Sequence, residues 1–250
     1  MQKHVIIHAL HGFLGGPSDW LLNRTADFDF KLRAEVIFDD CFTGKTMREW
    51  AEAFNARVFG QRDQNKNAVK VLLGYSMGGR LAMHALLQAP HIWDMAIFVS
   101  ANTGLKDPVA RVERKASDED WAKQFESEEW PSLMKKWNDQ TVFTGSLAVS
   151  VRKECDFNRG QLAAVLRNWS LGCQECLDDR LAELCVPTLW VAGELDRRYS
   201  AIASEAGKKF SFYKAAIIQG AGHRVPWDRG DVFFKTVSEF IKTNLKCTEG

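Results

Sequence analysis

The chain lacks both a long apolar run and an excess of charge of either sign. Its 250 residues include 33 Lys and Arg against 32 Asp and Glu, a formal net charge of +1, and 46% are apolar. No apolar run approaches the length that crosses a bilayer, and the polar, histidine-interrupted N-terminal stretch is not typical of a signal peptide. The near-neutral balance gives no indication of a strongly basic surface for nucleic acid or acidic lipid. We therefore expect a folded cytoplasmic protein without a nucleic-acid or membrane partner.

The chain also lacks a clustered cysteine framework, since its six cysteines are scattered. That usage is more typical of reduced thiols than of a disulfide framework. Cys173 and Cys176 form a C-x-x-C pair, but no second pair of ligands accompanies it, so we interpret them as incidental thiols. The sequence contains no motif for a metal or an organic cofactor, and we expect neither.

The most informative segment is Gly74-Tyr-Ser76-Met-Gly78, which follows an apolar stretch rich in valine and leucine and precedes a helical pattern. A serine on a tight turn between a strand and a helix takes a strained backbone conformation, so the residues two before and two after it must be small. Gly74 and Gly78 meet this requirement. Since the following helix directs its free N–H groups at Ser76, the segment predicts a nucleophile elbow.

A serine hydroxyl needs a histidine base and a carboxylate that orients the histidine. Of the six histidines, His223 lies in a glycine-rich loop after the last predicted strand, whereas the others fall in positions more typical of structural roles. Asp196 follows the preceding strand, which gives the order Ser76, Asp196, His223 expected for this architecture. Glu194, two residues earlier, is the alternative carboxylate.

Two backbone N–H groups are expected to form an oxyanion hole. In this architecture one donor is the residue after the nucleophile, here Met77. The other lies in the loop after the first strand, where Phe13 follows Gly12. Both would donate through the main chain, so their side chains are not part of the prediction.

Short apolar strands alternate with helical patterns along most of the chain, which predicts an α/β fold with a mainly parallel sheet flanked by helices. The pattern predicts strands over residues 5–9, 35–38, 69–73, 95–100, 188–192 and 216–218, and helices over residues 47–59, 80–88, 201–208 and 231–245.

The alternation stops between residues 102 and 184, where only helices are predicted. Ser117-x-x-Asp120 resembles a capping box that opens the first of them, and Trp130-Pro131 is predicted to end it. A short helix follows over residues 132–137. Asn158 is predicted to cap a third helix, and Trp169 to pack this insertion against the core.

The helical segment defines the predicted domain organisation. Residues 1–101 and 185–250 form the α/β core, and residues 102–184 form a helical lid. An insertion at this point lies above the carboxyl ends of the strands, where open α/β sheets bind ligands. We therefore expect lid residues to contribute to the site.

Four segments extend the motif pattern beyond the nucleophile, the base and the acid. They are His11-Gly-Phe-Leu-Gly, Gly74-Tyr-Ser-Met-Gly-Gly-Arg80, Gly104-Leu followed by Arg114-x-x-x-Asp118-x-x-Trp121, and Trp137 ahead of Gln140-x-Val-Phe143. Together they resemble the α/β-hydrolase fold over about residues 4–245. More narrowly, they resemble the 2-succinyl-6-hydroxy-2,4-cyclohexadiene-1-carboxylate synthase family of the menaquinone pathway.

This resemblance implies an α/β-hydrolase fold with the lid inserted after the strand equivalent to the sixth of that fold. It implies the elimination of pyruvate from a small polycarboxylate cyclohexene, a carbon–oxygen lyase reaction. Carried over by position, Arg114 and Arg152 are lid arginines that bind substrate carboxylates, Tyr75 and Arg80 border the site, and Trp137 forms a wall. The guanidinium group suits this role, because its forked donors match a carboxylate bidentately.

Three interpretations of the site remain. The first is a lyase in which Ser76, activated by His223 and Asp196, abstracts a ring proton. The alternative is a cofactor-free serine hydrolase of small esters, thioesters or C–C bonds, which would use the same triad for covalent catalysis. The third is a ligand receptor on this fold, against which an intact triad weighs.

Overall fold

A parallel sheet of six strands forms the centre of the protein. The structure, a computed structural model, describes residues 4–21, 28–38, 44–60, 68–147, 151–210 and 212–247. The strands are β1 (Val5–Leu10), β2 (Lys31–Glu35), β3 (Val69–Tyr75), β4 (Met95–Val99), β5 (Thr188–Gly193) and β6 (Tyr213–Ile218). Their order is β2-β1-β3-β4-β5-β6, and every neighbouring pair is parallel. Since all strands run the same way, the loops at their carboxyl ends meet at one edge.

The α-helices within the described residues either cover a face of the sheet or pack together in the insertion between β4 and β5. They are α1 (Met47–Gly60), α2 (Met77–Gln88), α3 (Pro108–Ser127), α4 (Trp130–Asn138), α5 (Arg159–Asn168), α6 (Asp178–Ala182), α7 (Arg197–Lys209), α8 (Val225–Asp228) and α9 (Gly230–Cys247). Among the parts of the chain that the structure describes, no helix combines the length and the apolar character needed to cross a membrane.

Alternation along the strands explains the two layers of the core. In β3, Leu72 packs into the cluster formed with α1, α2 and α7, whereas Val71 and Leu73 pack into the cluster formed with α9. Successive strand residues point to opposite faces, so a strand covered on both sides must be apolar throughout. The inner strands therefore gave clear signals in the sequence.

The predicted position of β2 is wrong by four residues. The strand runs from Lys31 to Glu35 instead of over residues 35–38, with Ile6 opposite Lys31 and Leu10 opposite Glu35. It is an edge strand that pairs with β1 alone, and Lys31 is exposed. An edge strand needs no continuous apolar run, and charged residues suit it. The prediction followed apolar residues and therefore placed the strand too late in the chain.

Two helix ends in the insertion between β4 and β5 also differ from the prediction. Helix α3 begins at Pro108, where the Asp107 side chain accepts a 3.0 Å hydrogen bond from the Val109 N–H, so the predicted start at Ser117 is wrong. Pro131 lies in the first turn of α4 and does not end the preceding helix. Proline is favoured at a helix start, because the missing N–H would have no partner there.

The third predicted helix is confirmed. Asn158 caps α5 by accepting a 3.0 Å hydrogen bond from the Gln161 N–H. Trp169 at its end is buried, packs in the cluster of α1 and α2, and donates from Nε1 to the Lys45 carbonyl at 2.8 Å. This tryptophan therefore joins the inserted helices to the core, as predicted.

Candidate active site

The turn between β3 and α2 presents Ser76 at the carboxyl edge of the sheet. Ser76 has φ +52°, a conformation that side-chain-bearing residues rarely adopt, and its N–H donates to the Val99 carbonyl at 2.8 Å. A Cβ on Gly74 would lie 2.3 Å from the Gly78 carbonyl oxygen, and one on Gly78 would lie 2.3 Å from the His11 carbonyl oxygen. The tight turn therefore requires both glycines, which is the geometry of a nucleophile elbow.

Ser76, His223 and Asp196 form one chain of contacts. His223 Nε2 lies 3.1 Å from Ser76 Oγ, and His223 Nδ1 lies 2.7 Å from Asp196 Oδ2. Both His223 and Asp196 are buried, and the Tyr199 N–H donates to Asp196 Oδ1 at 3.2 Å. With the His223 proton on Nδ1, this geometry would let Nε2 accept the Ser76 proton and the carboxylate stabilise the resulting imidazolium.

The alternative carboxylate does not contact the histidine. Glu194 is exposed, and its Oε2 accepts a 3.1 Å hydrogen bond from the Gly220 N–H. Asp196 instead begins α7, so the hydrogen bond that caps the helix also fixes the carboxylate beside His223. The structure therefore brings together the carboxylate preferred from the sequence and leaves Glu194 outside the chain of contacts.

Other histidines near the sheet are buried in structural contacts. His8 Nδ1 lies 2.7 Å from Glu35 Oε1 on the neighbouring strand. His11 Nδ1 lies 2.9 Å from the Gly12 carbonyl oxygen, and burial lowers the pKa of His11 to about 4. Burial likewise lowers the pKa of His84 in α2 to about 4. His11 and His84 are therefore neutral at neutral pH.

The two proposed oxyanion donors belong to segments that border Ser76. Met77 is the first residue of α2, so its N–H has no acceptor within the helix. Phe13 lies in the loop after β1 and lines the cavity beside Ser76. A Cβ on Gly12 would lie 2.8 Å from Tyr75 Cε1, so only glycine lets this loop approach the elbow so closely.

Two neighbouring cavities border Ser76, and we call them the first and the second lobe of the site. The first lobe has a volume of about 420 Å³ and the second about 380 Å³. Phe13, Ser76, Trp137 and Phe143 line both lobes. Trp137 therefore lines both lobes, and its role as a wall of a substrate site stays a prediction.

The second lobe contains two of the predicted arginines. Arg80 is buried and donates from Nε to Gln174 Oε1 at 2.7 Å and from Nη2 to the Trp169 carbonyl, and burial lowers its pKa to about 9. Arg114 is partly exposed and donates from Nε to Asp118 Oδ2 at 2.8 Å. Arg80 thus connects α2 to the inserted segment. Arg114 lines the second lobe and has N–H groups besides the one that is bonded to Asp118.

The first lobe contains Arg152 and Tyr75. Arg152 donates from Nη1 and Nη2 to the two carboxylate oxygens of Asp19, both at 2.8 Å. Both terminal nitrogens of its guanidinium are therefore already paired with a carboxylate of the protein. Tyr75 is buried 5.6 Å from the His223 ring, between ring centroids, and burial raises the pKa of its phenol. Arg114 and Arg152 therefore lie in different lobes, and of these two Arg152 is the one that pairs bidentately with a carboxylate.

Three charged residues of the first lobe, Asp19, Lys135 and Arg224, were not predicted from the sequence. Asp19 lies in a short 3-10 helix, Pro17–Leu21, which follows β1, and no sequence motif identifies it. Arg224 directly follows His223 in the chain, and that position is the one signal that could have identified it.

No metal or thiol site adjoins the cavity among the described residues. No group of three or more His, Cys, Asp or Glu in those ranges could hold a metal ion. Cys173 and Cys176 are free thiols, and neither lines the two lobes. Cys41 lies outside the described residues.

The sequence is similar to one large family and to named relatives within it. A model described as Alpha/beta hydrolase family matches residues 6–236. The 2-succinyl-6-hydroxy-2,4-cyclohexadiene-1-carboxylate synthase of Salmonella arizonae is 35% identical over 158 residues, which are 61% of this chain and 60% of that protein. A Bacillus subtilis (strain 168) protein, provisionally given the same name, is 30% identical over 249 residues, 93% of this chain and 88% of that protein.

A solved structure shares the fold over nearly the whole chain. The structure of MenH from S. aureus superposes with a TM-score of 0.85 and 23% identity, covering 98% of this chain and 96% of that chain. Together with the parallel sheet and the helices inserted between β4 and β5, this similarity confirms the predicted fold class.

Proposed function

The chain belongs to the alpha/beta hydrolase family, and from this premise we propose that it is a carbon–oxygen lyase of menaquinone biosynthesis. Its reaction would release pyruvate from a polycarboxylate cyclohexene. The names of relatives at 30–35% identity support this substrate. The observation that carries the proposal beyond the fold is the distribution of arginines over both lobes, with Ser76 between them.

The charge of the substrate explains why arginines are needed. The product in the relatives' name has a ring carboxylate and a succinyl carboxylate, and pyruvate has one more. The substrate from which both form is therefore a tricarboxylate. Three carboxylates held around one ring require cations on more than one side, since each charge loses its hydration on entering the cavity. Arg80 and Arg114 in the second lobe and Arg152 and Arg224 in the first provide them.

The proposed reaction begins with proton transfer through the triad. His223 accepts the hydroxyl proton of Ser76, and Ser76 Oγ abstracts the ring proton next to the succinyl carbonyl. The C–H electron pair moves towards that carbonyl, and the main-chain N–H groups of Phe13 and Met77 stabilise the resulting oxyanion. Such donors typically contribute about 10²- to 10³-fold in rate.

The second half of the reaction breaks the bond to the leaving group. The carbonyl re-forms as the enolate electrons move into the ring. The ring then has two conjugated double bonds, and the C–O bond to the enolpyruvyl group breaks. The leaving group departs as the enolate of pyruvate, takes up a proton and becomes pyruvate. His223 supplies that proton, directly or through water, so Ser76 and His223 return to their starting states. No oxidant or other co-reactant is needed for this balance.

A coupled assay tests the proposal against the hydrolase alternative. Pyruvate release from the enolpyruvyl cyclohexene is followed through lactate dehydrogenase and NADH, beside a panel of neutral aryl esters and thioesters. We expect kcat/KM for pyruvate release to exceed that for every ester by several orders of magnitude. Efficient ester cleavage without pyruvate release would favour the hydrolase.

A further inference from the structure

Arg224 is the one arginine of the first lobe without a carboxylate partner among the described residues. It lines that lobe together with Arg152, whose two Nη groups are both bound to Asp19. We propose that Arg224 binds a substrate carboxylate in the first lobe, an assignment that rests on the proposed function for its substrate class. Arg152 then adds positive charge to the lobe while its bond to Asp19 holds the loop after β1 and the segment before α5 in place.

The Arg224 side chain is held in position from the lid side. Its Nη2 donates to Asn138 Oδ1 at the end of α4, and its guanidinium carbon lies 4.0 Å from the centre of the Phe143 ring. The backbone N–H of Arg224 donates to Ser146 Oγ at 3.2 Å. These neutral contacts orient the guanidinium without neutralising its charge, so donors remain for a ligand.

The electrostatics of the lobe favour an anion at this point. Arg224 is buried, with 9% of its surface exposed, and burial lowers its pKa. The nearby Asp228 carboxylate offsets part of this effect, but its oxygens accept hydrogen bonds from the Leu147 and Gly222 N–H groups. A buried cation without a direct anionic partner is unfavourable, because the group has lost water without gaining an ion pair. A carboxylate that enters the lobe gains from this unpaired charge, whereas at Arg152 it must compete with Asp19. Arg224 is therefore the better-placed donor for a ligand.

The remaining lining defines the rest of the ligand. Leu14, Trp130, Met134 and Trp227 give the first lobe an apolar wall. An apolar body with a carboxylate at one end therefore fits the lobe better than a small, fully hydrated anion such as acetate. A six-membered ring that bears a succinyl group has this shape.

A pair of matched probes tests the assignment without requiring turnover. 3-Benzoylpropionate carries a succinyl carboxylate on an aromatic ring, and its primary amide has the same shape without the charge. Isothermal titration is carried out on the full chain and on Arg224→Met, which keeps the apolar stem over Phe143. Wild type should prefer the acid over the amide by about tenfold or more, the effect of a hydrogen bond to a charged group. Arg224→Met should lose this preference and bind the amide as wild type does.

Three further variants control the experiment. Arg48→Met removes an exposed cation on α1, outside both lobes, and should leave the preference unchanged. Arg224→Lys should retain part of it, since the charge stays but the fork is lost. An unchanged preference in Arg224→Met, with loss of preference in Arg152→Met instead, would assign the carboxylate to Arg152 and overturn the inference. The absence of any acid preference in wild type would overturn it as well.

Kinetics separate this inference from the proposed function. If wild type releases pyruvate, Arg224→Met should raise KM by at least about 30-fold, the lower end for loss of one partner from a buried charge pair. A normal KM in that variant contradicts the assignment of Arg224 and leaves the lyase intact. Wild type that prefers the acid yet releases no pyruvate contradicts the lyase and leaves the anion site intact.

Discussion

Arg152 and Asp19 form a bidentate ion pair across 133 residues of sequence, with both N···O distances at 2.8 Å. The Asp19 side chain is 4% exposed and that of Arg152 is 20% exposed. The pair joins the loop after β1, which carries the proposed oxyanion donor Phe13, to the segment before α5. A residue that the family resemblance assigns to substrate binding is therefore also part of the framework of the site.

This pairing predicts that Arg152 contributes to stability. Arg152→Met leaves the Asp19 carboxylate buried without its partner, and we expect the free energy of unfolding to fall by about 3–5 kcal/mol. Urea denaturation followed by tryptophan fluorescence measures the change. The double variant Asp19→Asn/Arg152→Met should recover a large part of the loss. If the double variant is no more stable than Arg152→Met, the ion pair is not what stabilises this loop.

The two candidate carboxylates of the triad are separable by substitution. Asp196→Asn removes the charge beside His223 and favours the wrong tautomer, so kcat should fall by about 10⁴-fold, as in related triads. Glu194→Gln changes an exposed group that contacts the Gly220 N–H, and its kcat should stay within about twofold of wild type. Steady-state pyruvate release measures both variants. A severe loss in Glu194→Gln with an active Asp196→Asn would reverse the assignment.

The partly exposed Arg114 is expected to act through charge. Arg114→Met should raise KM for the polycarboxylate by about 30-fold, at the lower end for a charged pair because the side chain retains solvent contact. Arg111, one turn earlier on α3, does not line either lobe, so Arg111→Met is the matched control. Any slow cleavage of a neutral aryl ester should proceed at the wild-type rate in both variants. Equal losses on charged and neutral substrates would indicate damaged packing.

His84 makes stability dependent on pH. Burial lowers the pKa of His84 to about 4 in the folded protein, against 6.5 as its ordinary value. Between these values the unfolded chain binds more protons, so the stability that neutral His84 provides is present above pH 6.5 and is lost as the pH falls. His84→Gln should therefore reduce the loss of unfolding free energy between pH 7 and pH 5 by about 2 kcal/mol. An identical pH dependence in both proteins would show that His84 does not contribute.

The fold was largely predictable because its determinants are local and repeated. Strands covered on both faces must be apolar, and the elbow requires glycines around Ser76, so both leave signals in neighbouring residues. The position of β2 was predicted wrongly because an edge strand does not need a continuous apolar run. The start of α3 depends on the Asp107 cap, which competed with an equally plausible capping pattern at Ser117.

The site was predictable only in part, for a physical reason. Loop order after parallel strands locates Ser76, Asp196 and His223, because all carboxyl ends meet at one edge. The partner of an arginine is set by tertiary packing, and nothing near Arg152 in sequence indicates Asp19. Arg224 was overlooked for the same reason, since its burial depends on Asn138 and Phe143 from the lid.

The fate of Ser76 during turnover tests the central claim most directly. The wild-type enzyme is mixed rapidly with the enolpyruvyl cyclohexene, and quenched samples are analysed for pyruvate, diene product and intact protein mass, with Ser76→Ala as the control. As a base, Ser76 returns unmodified, so we expect equal amounts of pyruvate and diene, no covalent adduct, and a loss of several orders of magnitude in kcat for Ser76→Ala. An adduct on Ser76 that forms and decays at the turnover rate, or near-normal activity in folded Ser76→Ala, would contradict the proposed mechanism.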